Sequence, residues 1–408
     1  MVKQLPARIP ARAILLVAAL LGAACQDAVT PEPSADEPST DLARQSVNPQ
    51  AVPGQYIVVF TDAVADPAGL ARALVAVHGG ALRHAYASAL KGFAARLPDQ
   101  AVAALRQNPL VAYVEPDQVV RTDETEPMDA NGDPWGLDRI DQRAAPLSRT
   151  YTYTSAGAGV HAYIIDTGIW TAHADFGGRA NNVYDAVTLG LLGGATGQDC
   201  NGHGTHVSGT VGGTVYGVAK GVSLHGVRVL NCAGAGLTSD VIAGVDWVTA
   251  NHQSPAVANM SLGGGTSAAL NAAVTNLWNS GVFLAVAAGN DNADACNSSP
   301  AGAAGVFTVA ASEKNDAKAS YSNWGTCVEA YAPGSGIKSA FLLGLTSTLS
   351  GTSMASPHVA GVAALYKATF GDAPSATVAT WIINNATTGV ITGNTGGTPN
   401  RLLFKSTL

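Results

Sequence analysis

Apolar and polar positions divide the chain into stretches of different period. Gln55-Tyr56-Ile57-Val58-Val59-Phe60 is β-branched and aromatic and predicts a strand. Between residues 68 and 78, Leu70, Leu74 and Val77 recur at helical spacing, and Gly79-Gly80 ends the pattern. Phe93-Ala94-Ala95-Arg96-Leu97 alternates and predicts another strand. Pro98-Asp99 opens a second helix carrying Val102 and Leu105, and Val111 to Asp117 predicts a last strand. Two strand–helix units in so short a span predict a small α+β module of split β-α-β, ferredoxin-like type over residues 54–122. From about residue 128 to 408 the alternation is longer. Val160 to Ile165, Leu224 to Leu230, Val257 to Leu262, Phe283 to Ala287 and Val306 to Ala311 are the strand-like runs. Val241, Ile242, Val245 and Val248 share one helical face, as do Leu270, Val274, Leu277 and Trp278 before Gly281. Such alternation predicts an α/β domain, a parallel sheet with helices on both faces.

The first 53 residues fit neither pattern. Lys3, Arg8 and Arg12 precede the apolar run Ile14 to Leu21, and Gly22-Ala23-Ala24-Cys25 follows. Charged, apolar and small residues in that order predict a secretory signal over 1–25, with a run too short for an ordinary transmembrane helix. The segment ending in Cys25 is similar to a bacterial lipoprotein signal, in which that cysteine is lipidated. Gly22 departs from that pattern, and plain cleavage near Ala23 or Ala24 competes with it. Residues 26–53 are rich in Pro, Asp, Glu, Ser and Thr and predict a disordered linker.

Composition narrows the function classes. The net charge of -7 over 408 residues, with no basic cluster, argues against nucleic acid as a partner. The five cysteines contain no Cys-x-x-Cys pair, which argues against a zinc–thiolate site. An exported compartment permits disulfides, and four cysteines allow three pairings.

Open parallel sheets bind ligands beyond the carboxyl ends of their strands. Polar residues stand at those places. Asp166-Thr167-Gly168 follows the strand ending at Ile165, and Ala288-Gly289-Asn290 follows the one ending at Ala287. Asn201-Gly202-His203-Gly204-Thr205-His206-Val207 opens a glycine-flanked helix, and Gly351-Thr352-Ser353-Met354-Ala355-Ser356-Pro357-His358 delivers a serine to the start of another. A serine hydroxyl is a weak nucleophile until a base takes its proton. His203 is the candidate base, Asp166 the carboxylate that orients it, and Asn290 the amide for an oxyanion. Each has an ordinary alternative. Ser353 could be an N-cap. Asp166 could be a turn residue or an aspartic-protease carboxylate, which needs a second such motif. His203 and His206 could bind metal, but no His-Glu-x-x-His is present. An esterase of the α/β-hydrolase type would run Ser…Asp…His with Gly-x-Ser-x-Gly, unlike the order and setting here.

Ile164-Ile165-Asp166-Thr167-Gly168, the stretch around His203 and the stretch around Ser353 together resemble the three signatures of the subtilase family. Pro134-Trp135-Gly136-Leu137-Asp138-Arg139-Ile140-Asp141-Gln142-Arg143 and Pro399-Asn400-Arg401-Leu402-Leu403 are similar to its proteinase K branch, especially aqualysin-like bacterial members. Tyr56-Ile57-Val58-Val59-Phe60, Lys91-Gly92-Phe93-Ala94 and Val114-Glu115-Pro116-Asp117 resemble the family's inhibitory propeptide. The resemblance implies an exported, self-processing serine endopeptidase, with Ser353 as nucleophile, His203 as base and acid, and Asp166 as orienter. Asn290 and the Ser353 N–H would form the oxyanion hole. Substrate would add as a strand between Ser261-Leu262-Gly263 and the Cys232-to-Gly236 edge with Gly234, Ala235 and Gly236. Ala287, Ala288 and Gly289 would line an uncharged primary pocket favouring apolar or aromatic residues. Ser298 stands where related enzymes often have tyrosine. Structural calcium is implied at Asp138, Asp141 and Gln142, three oxygen side chains on one short loop. A second site would use Glu329, where the family usually has Asp, with backbone oxygens near Ala304 and Val306. The implied disulfides are Cys200–Cys232 and Cys296–Cys327. The expected partners are protein substrates and the chain's own propeptide, on a monomer. A membrane enters only through lipidation at Cys25, and no C-terminal secretion domain is expected past Leu408. Arg121 to Asp133, acidic and polar, is the expected cleavage region. Two other readings remain: a catalytically silent subtilase used for binding, and a latent enzyme that keeps its propeptide. The first would show a missing triad residue, and none is missing.

Overall fold

In the computed structural model, residues 51–122, 134–187 and 197–408 are described. The predicted signal with Cys25, the linker as far as residue 50 and positions 123–133 of the cleavage region lie outside the described residues. The N-terminal module runs β1 (Ala51–Phe60), α1 (Pro67–Val77), β2 (Ala81–Tyr86), β3 (Gly92–Arg96), α2 (Asp99–Arg106) and β4 (Val111–Thr122). Its strands pair antiparallel in the order β4-β1-β3-β2. Asp66 caps α1 by accepting the Gly69 N–H at 2.8 Å, and Pro67 supplies the fixed φ of a first helical residue. Both faces of β1 are buried, by different partners. Val58 and Phe60 pack with Val75, Phe93 and Leu105 under α1 and α2. Ile57 and Val59 face the other way and join Val241, Val245 and Val274 of the larger domain. The period-2 alternation of one strand therefore builds the module's own core and its seat.

The larger domain contains α3 (Trp135–Ile140), β5 (His161–Asp166), β6 (Ala180–Asp185), α4 (His203–Gly212), β7 (Ser223–Arg228), β8 (Ala235–Leu237), α5 (Thr238–Asn251), β9 (Ala256–Met260), β10 (Leu262–Gly265), α6 (Ala268–Asn279), β11 (Phe283–Ala287), β12 (Ser298–Ser299), β13 (Phe307–Ser312), β14 (Ala330–Pro333), β15 (Ile337–Ala340), β16 (Thr346–Leu349), α7 (Thr352–Phe370), α8 (Ser375–Asn385), β17 (Thr387–Thr388) and β18 (Arg401–Leu402). The main sheet has the order β17-β18-β14-β13-β11-β9-β5-β7-β6, parallel from β18 to β6. Val207, Val211, Val359, Leu365 and Ile382 of α4, α7 and α8 cover one face. Val241, Val248, Leu270 and Leu277 of α5 and α6 cover the other.

The strand predicted to stop at Asp117 continues to Thr122, because its last residues pair with β8 and β10 far along the chain. β6, the edge strand Ala-Asn-Asn-Val-Tyr-Asp, escaped the apolar pattern because an edge strand needs little apolar surface. Asp138 lies within α3 and Asp141 is its C-cap, so the predicted calcium loop is in part a helix.

Candidate active site

Asp166 is the last residue of β5 and is fully buried. His203 opens α4 and is equally buried, and its Nδ1 lies 2.9 and 3.0 Å from the two oxygens of Asp166. Nδ1–H therefore donates to the carboxylate, which fixes the ring and the tautomer. Asp166 Oδ1 also accepts the Thr167 N–H at 2.7 Å. His206 turns elsewhere: its Nε2 donates to the carbonyls of Ile337 (3.0 Å) and Ser347 (3.2 Å), tying α4 to the β15–β16 hairpin. Burial, with His203 nearby, lowers the His206 pKa to about 3, so it stays neutral. The two histidines share no metal geometry.

Ser353 is the second residue of α7, whose N-cap is Gly351. It is not a capping serine. Its hydroxyl donates to the Ser261 carbonyl at 3.2 Å. Pro357 has no N–H to give to the carbonyl four residues back, which is that of Ser353. The Ser261 hydroxyl takes that place at 2.8 Å. Ser261 Oγ accepts from Asn259 Nδ2 at 2.8 Å, and Ser356 Oγ donates to Asn259 Oδ1 at 2.7 Å. A buried chain of polar groups thus fastens the start of α7 to β9. Asn290 follows β11, and its Oδ1 accepts the N–H and the hydroxyl of Thr352, both at 2.9 Å. With Oδ1 held by Thr352, the side-chain amide is fixed in orientation, its NH₂ end being the donor end.

Both predicted substrate edges carry the end of β4. Arg121 pairs with Ala235 and Gly263, Val120 with Gly236, Val119 with Leu237, and Thr122 with Leu262, all antiparallel. Ala287, Ala288 and Gly289 line a cavity of about 380 Å³ together with Gly263, Gly264, Gly265 and Ser298. The expected walls are uncharged, but Asp291 and Asp294 also line the cavity. A larger cavity of about 560 Å³ lies beside Trp135, Pro146 and Tyr151, away from Ser353.

Carboxylates make several of the module's polar contacts with the larger domain. Glu115 Oε2 accepts the N–H groups of Ala268 (3.1 Å) and Ala269 (3.2 Å) at the start of α6. Asp117 Oδ1 accepts the Ser239 N–H (2.9 Å) at the start of α5, and its Oδ2 takes the Ser239 hydroxyl. In return, Asp246 of α5 accepts the N–H groups of Ser88 and Ala89, both at 2.6 Å, and Asp240 accepts Arg83 bidentately at 2.7 and 2.8 Å. Burial raises the pKa of Glu115, Asp117 and Asp246. The capping role of Glu115 and Asp117 has no local sequence signal, since the capped helices lie far along the chain.

Asp138 and Gln142 converge: the Ser148 N–H reaches Asp138 Oδ1 at 3.0 Å and Gln142 Oε1 at 2.9 Å. Ser148 Oγ is 2.9 Å from Asp138 Oδ1 and 2.7 Å from Thr150 Oγ1, while Asp141 Oδ2 accepts the Thr152 N–H at 2.7 Å. The donors are all oxygens, which suits a hard cation. Among the described residues no three His, Cys, Asp or Glu side chains gather as a metal site. Glu329 lies differently. Its Oε2 accepts the Thr308 N–H at 2.5 Å, the Ala304 carbonyl accepts from Thr275 Oγ1, and burial lifts the carboxyl to about 8. Cys200 is bonded to Cys232 and Cys296 to Cys327.

Residues 157–402 match the family profile described as "Subtilase family", and residues 55–123 match "Peptidase inhibitor I9". Among curated proteins, the "Extracellular serine proteinase" of Thermus sp. (strain Rt41A) is 50% identical over 378 residues, covering 87% of this chain and 90% of the relative. The "Alkaline serine exoprotease A" of Vibrio alginolyticus is 52% identical over 320 residues, covering 78% of this chain and 59% of the relative. The "Crystal structure of a cold adapted subtilisin-like serine proteinase" is 52% identical with a TM-score of 0.64, over 66% of this chain and 97% of that one.

Proposed function

The chain belongs to the subtilase family, serine endopeptidases made here with an inhibitory I9 propeptide, and we propose the roles of its residues as follows. Ser353 Oγ attacks the substrate carbonyl while His203 Nε2 takes its proton. Asp166 holds Nδ1–H and stabilises the imidazolium. The oxyanion receives the Asn290 NH₂ and the Ser353 N–H, and loss of one such donor costs about 10²–10³ in turnover. His203 then gives its proton to the leaving amine, and water repeats the sequence on the acyl-enzyme. The buried Asp166–His203 pair carries this reading, at 2.9 Å.

Substrate binds as a strand between the Gly234–Gly236 and Ser261–Gly263 edges, chiefly through backbone hydrogen bonds, which favours broad specificity. Apolar or aromatic side chains fill the cavity beside Ala287–Gly289, and Asp291 and Asp294 disfavour acidic ones. The β4 tail occupies both edges, which supports reading the full chain as a latent complex whose maturation cut falls in the Arg121 to Asp133 region. The chain is exported to the outside, as the Thermus relative's name has it for that protein. A lipid on Cys25 would tether only the precursor, because a cut in the Arg121 to Asp133 region frees the catalytic domain. A structural calcium ion would be held by Asp138, Asp141 and Gln142, fixing the segment to Thr152. A second ion would be held by Glu329 with the backbone oxygens near Ala304 and Val306.

Expression of the full chain beside Ser353→Ala tests the reading by gel and mass spectrometry. The wild type is expected to lose its N-terminal module and digest casein, and the variant to stay joined. Identical cutting of both chains would assign maturation to another protease. An uncut wild type that spares casein would favour the binding reading.

A further inference from the structure

Asp199 is 1% exposed, lies four residues before His203 and belongs to none of the roles above. Five donors converge on its carboxylate. Oδ1 accepts the N–H groups of Asn201 (2.9 Å) and Gly202 (3.0 Å) and the hydroxyl of Thr167 (2.9 Å). Oδ2 accepts the N–H of Thr205 at 3.0 Å and its hydroxyl at 2.5 Å. Each of the two hydroxyls passes the connection on. Thr167 Oγ1 accepts the Gly204 N–H at 2.9 Å, and Thr205 Oγ1 accepts the Trp170 N–H at 2.9 Å.

The geometry points to Asp199 as a positioning residue that locks the helix bearing the general base to the end of the strand bearing its orienting carboxylate. Thr167 adjoins Asp166 in sequence, and Gly202 and Gly204 flank His203. One buried anion therefore fixes the chain on both sides of the 2.9 Å Asp166–His203 bond. The N-cap of α4 is Gly202, which has no side chain to offer, so the charge that complements this helix start comes from outside the helix. The position of the carboxylate is confined as well: Cys200 is bonded to Cys232, which anchors the residue beside Asp199. Asp199 touches neither substrate nor the reacting atoms. It acts through His203.

This inference rests on His203 being the base, and its test separates the two. The full chain is compared with Asp199→Asn and, as a milder change, Thr205→Val. Each is followed for self-processing, for kcat and KM on a peptide p-nitroanilide, and for the rate of inactivation by a sulfonyl fluoride. That reagent needs the activated serine but not the peptide edges. A misplacement of about 1 Å can cost 10²-fold in rate, so Asp199→Asn is expected to lose about 10–100-fold in kcat with KM within about twofold. The sulfonyl fluoride rate should fall in parallel, and Thr205→Val should lie between. Either folded variant keeping kcat and the inactivation rate within about twofold of wild type overturns the inference and leaves the triad untouched. So does a loss confined to KM. Failure of both variants to fold, by circular dichroism, would make Asp199 a structural anchor and overturn the positioning role. An inactive wild type would instead sink the function reading itself.

Discussion

Removing the Asp117 carboxylate should loosen the start of α5 by a calculable amount. The residue before that helix is Leu237, which offers no side-chain cap. Asp117 of β4 supplies the cap instead, to the Ser239 N–H at 2.9 Å and to its hydroxyl. An aspartate cap replaced by alanine costs about 0.5–2 kcal/mol, and bonds to a charged acceptor lie at the upper part of the usual hydrogen-bond range. Burial opposes this by raising the Asp117 pKa, so part of the gain is returned as desolvation. The net expectation is about 1–2 kcal/mol, or a factor of about 5–30 in the local opening equilibrium. The assay is hydrogen exchange by mass spectrometry on the full-length Ser353→Ala precursor, which keeps the module joined. In Asp117→Ala, peptides covering the first turn of α5 should exchange about 5–30-fold faster, while α7 is unchanged. Asp117→Asn, which retains an acceptor oxygen, should recover part of the protection. Exchange within about twofold of the parent would refute the capping argument, because Leu237 cannot supply a replacement.

Three further outcomes follow from contacts described above. Burial raises Glu115, Asp117 and Asp246, so the joined complex binds more protons there than its separated parts; this contribution is full below the ordinary carboxylate range near pH 4 and is lost as pH rises through the raised values. The cleaved module should therefore be held more weakly toward neutral and alkaline pH, and co-elution that tightened with rising pH would contradict the sign. Calcium at about a hundredfold excess over its Kd should add about 2.7 kcal/mol, or about 5–10 °C in Tm, and Asp141→Asn should abolish that increment; equal Tm in calcium and in chelator would remove the site. Gly202→Ala would set a Cβ 2.3 Å from the Phe341 ring at a φ of +111°, beside His203. Loss of both Tm and kcat/KM is expected, and retention of activity within twofold would show that the ring yields.

The four catalytic candidates were legible because their chemistry coincides with a rule of topology. Polar residues that interrupt an apolar strand at its carboxyl end, as at Asp166 and Asn290, announce themselves against the run before them. The edges around Ala235 and Gly263 were readable only through family resemblance, since glycines in a loop carry no periodic signal. What stayed hidden depends on partners remote in sequence. Nothing in Gln118 to Thr122 states that β8 and β10 will extend that strand, and nothing in Asp-Cys-Asn-Gly-His marks Asp199 as the acceptor of five donors.

These hidden contacts share one physical device. The starts of α4, α5 and α6 each receive a carboxylate from outside the helix: Asp199, Asp117 and Glu115. Gly202 and Leu237 cannot cap their own helices, and Ser267 serves only the Leu270 N–H of α6. The sources differ in permanence. Asp199 belongs to the catalytic domain and stays with His203 after maturation. Asp117 and Glu115 belong to the inhibitor module, so they cap α5 and α6 in the joined chain and leave with that module when it is removed. A carboxylate that must remain is paired with five donors in a fully buried setting. The two that must leave sit on a separable surface, where burial has already raised their pKa. The same interaction is therefore permanent where it holds the helix of His203 and removable where it holds the inhibitor module.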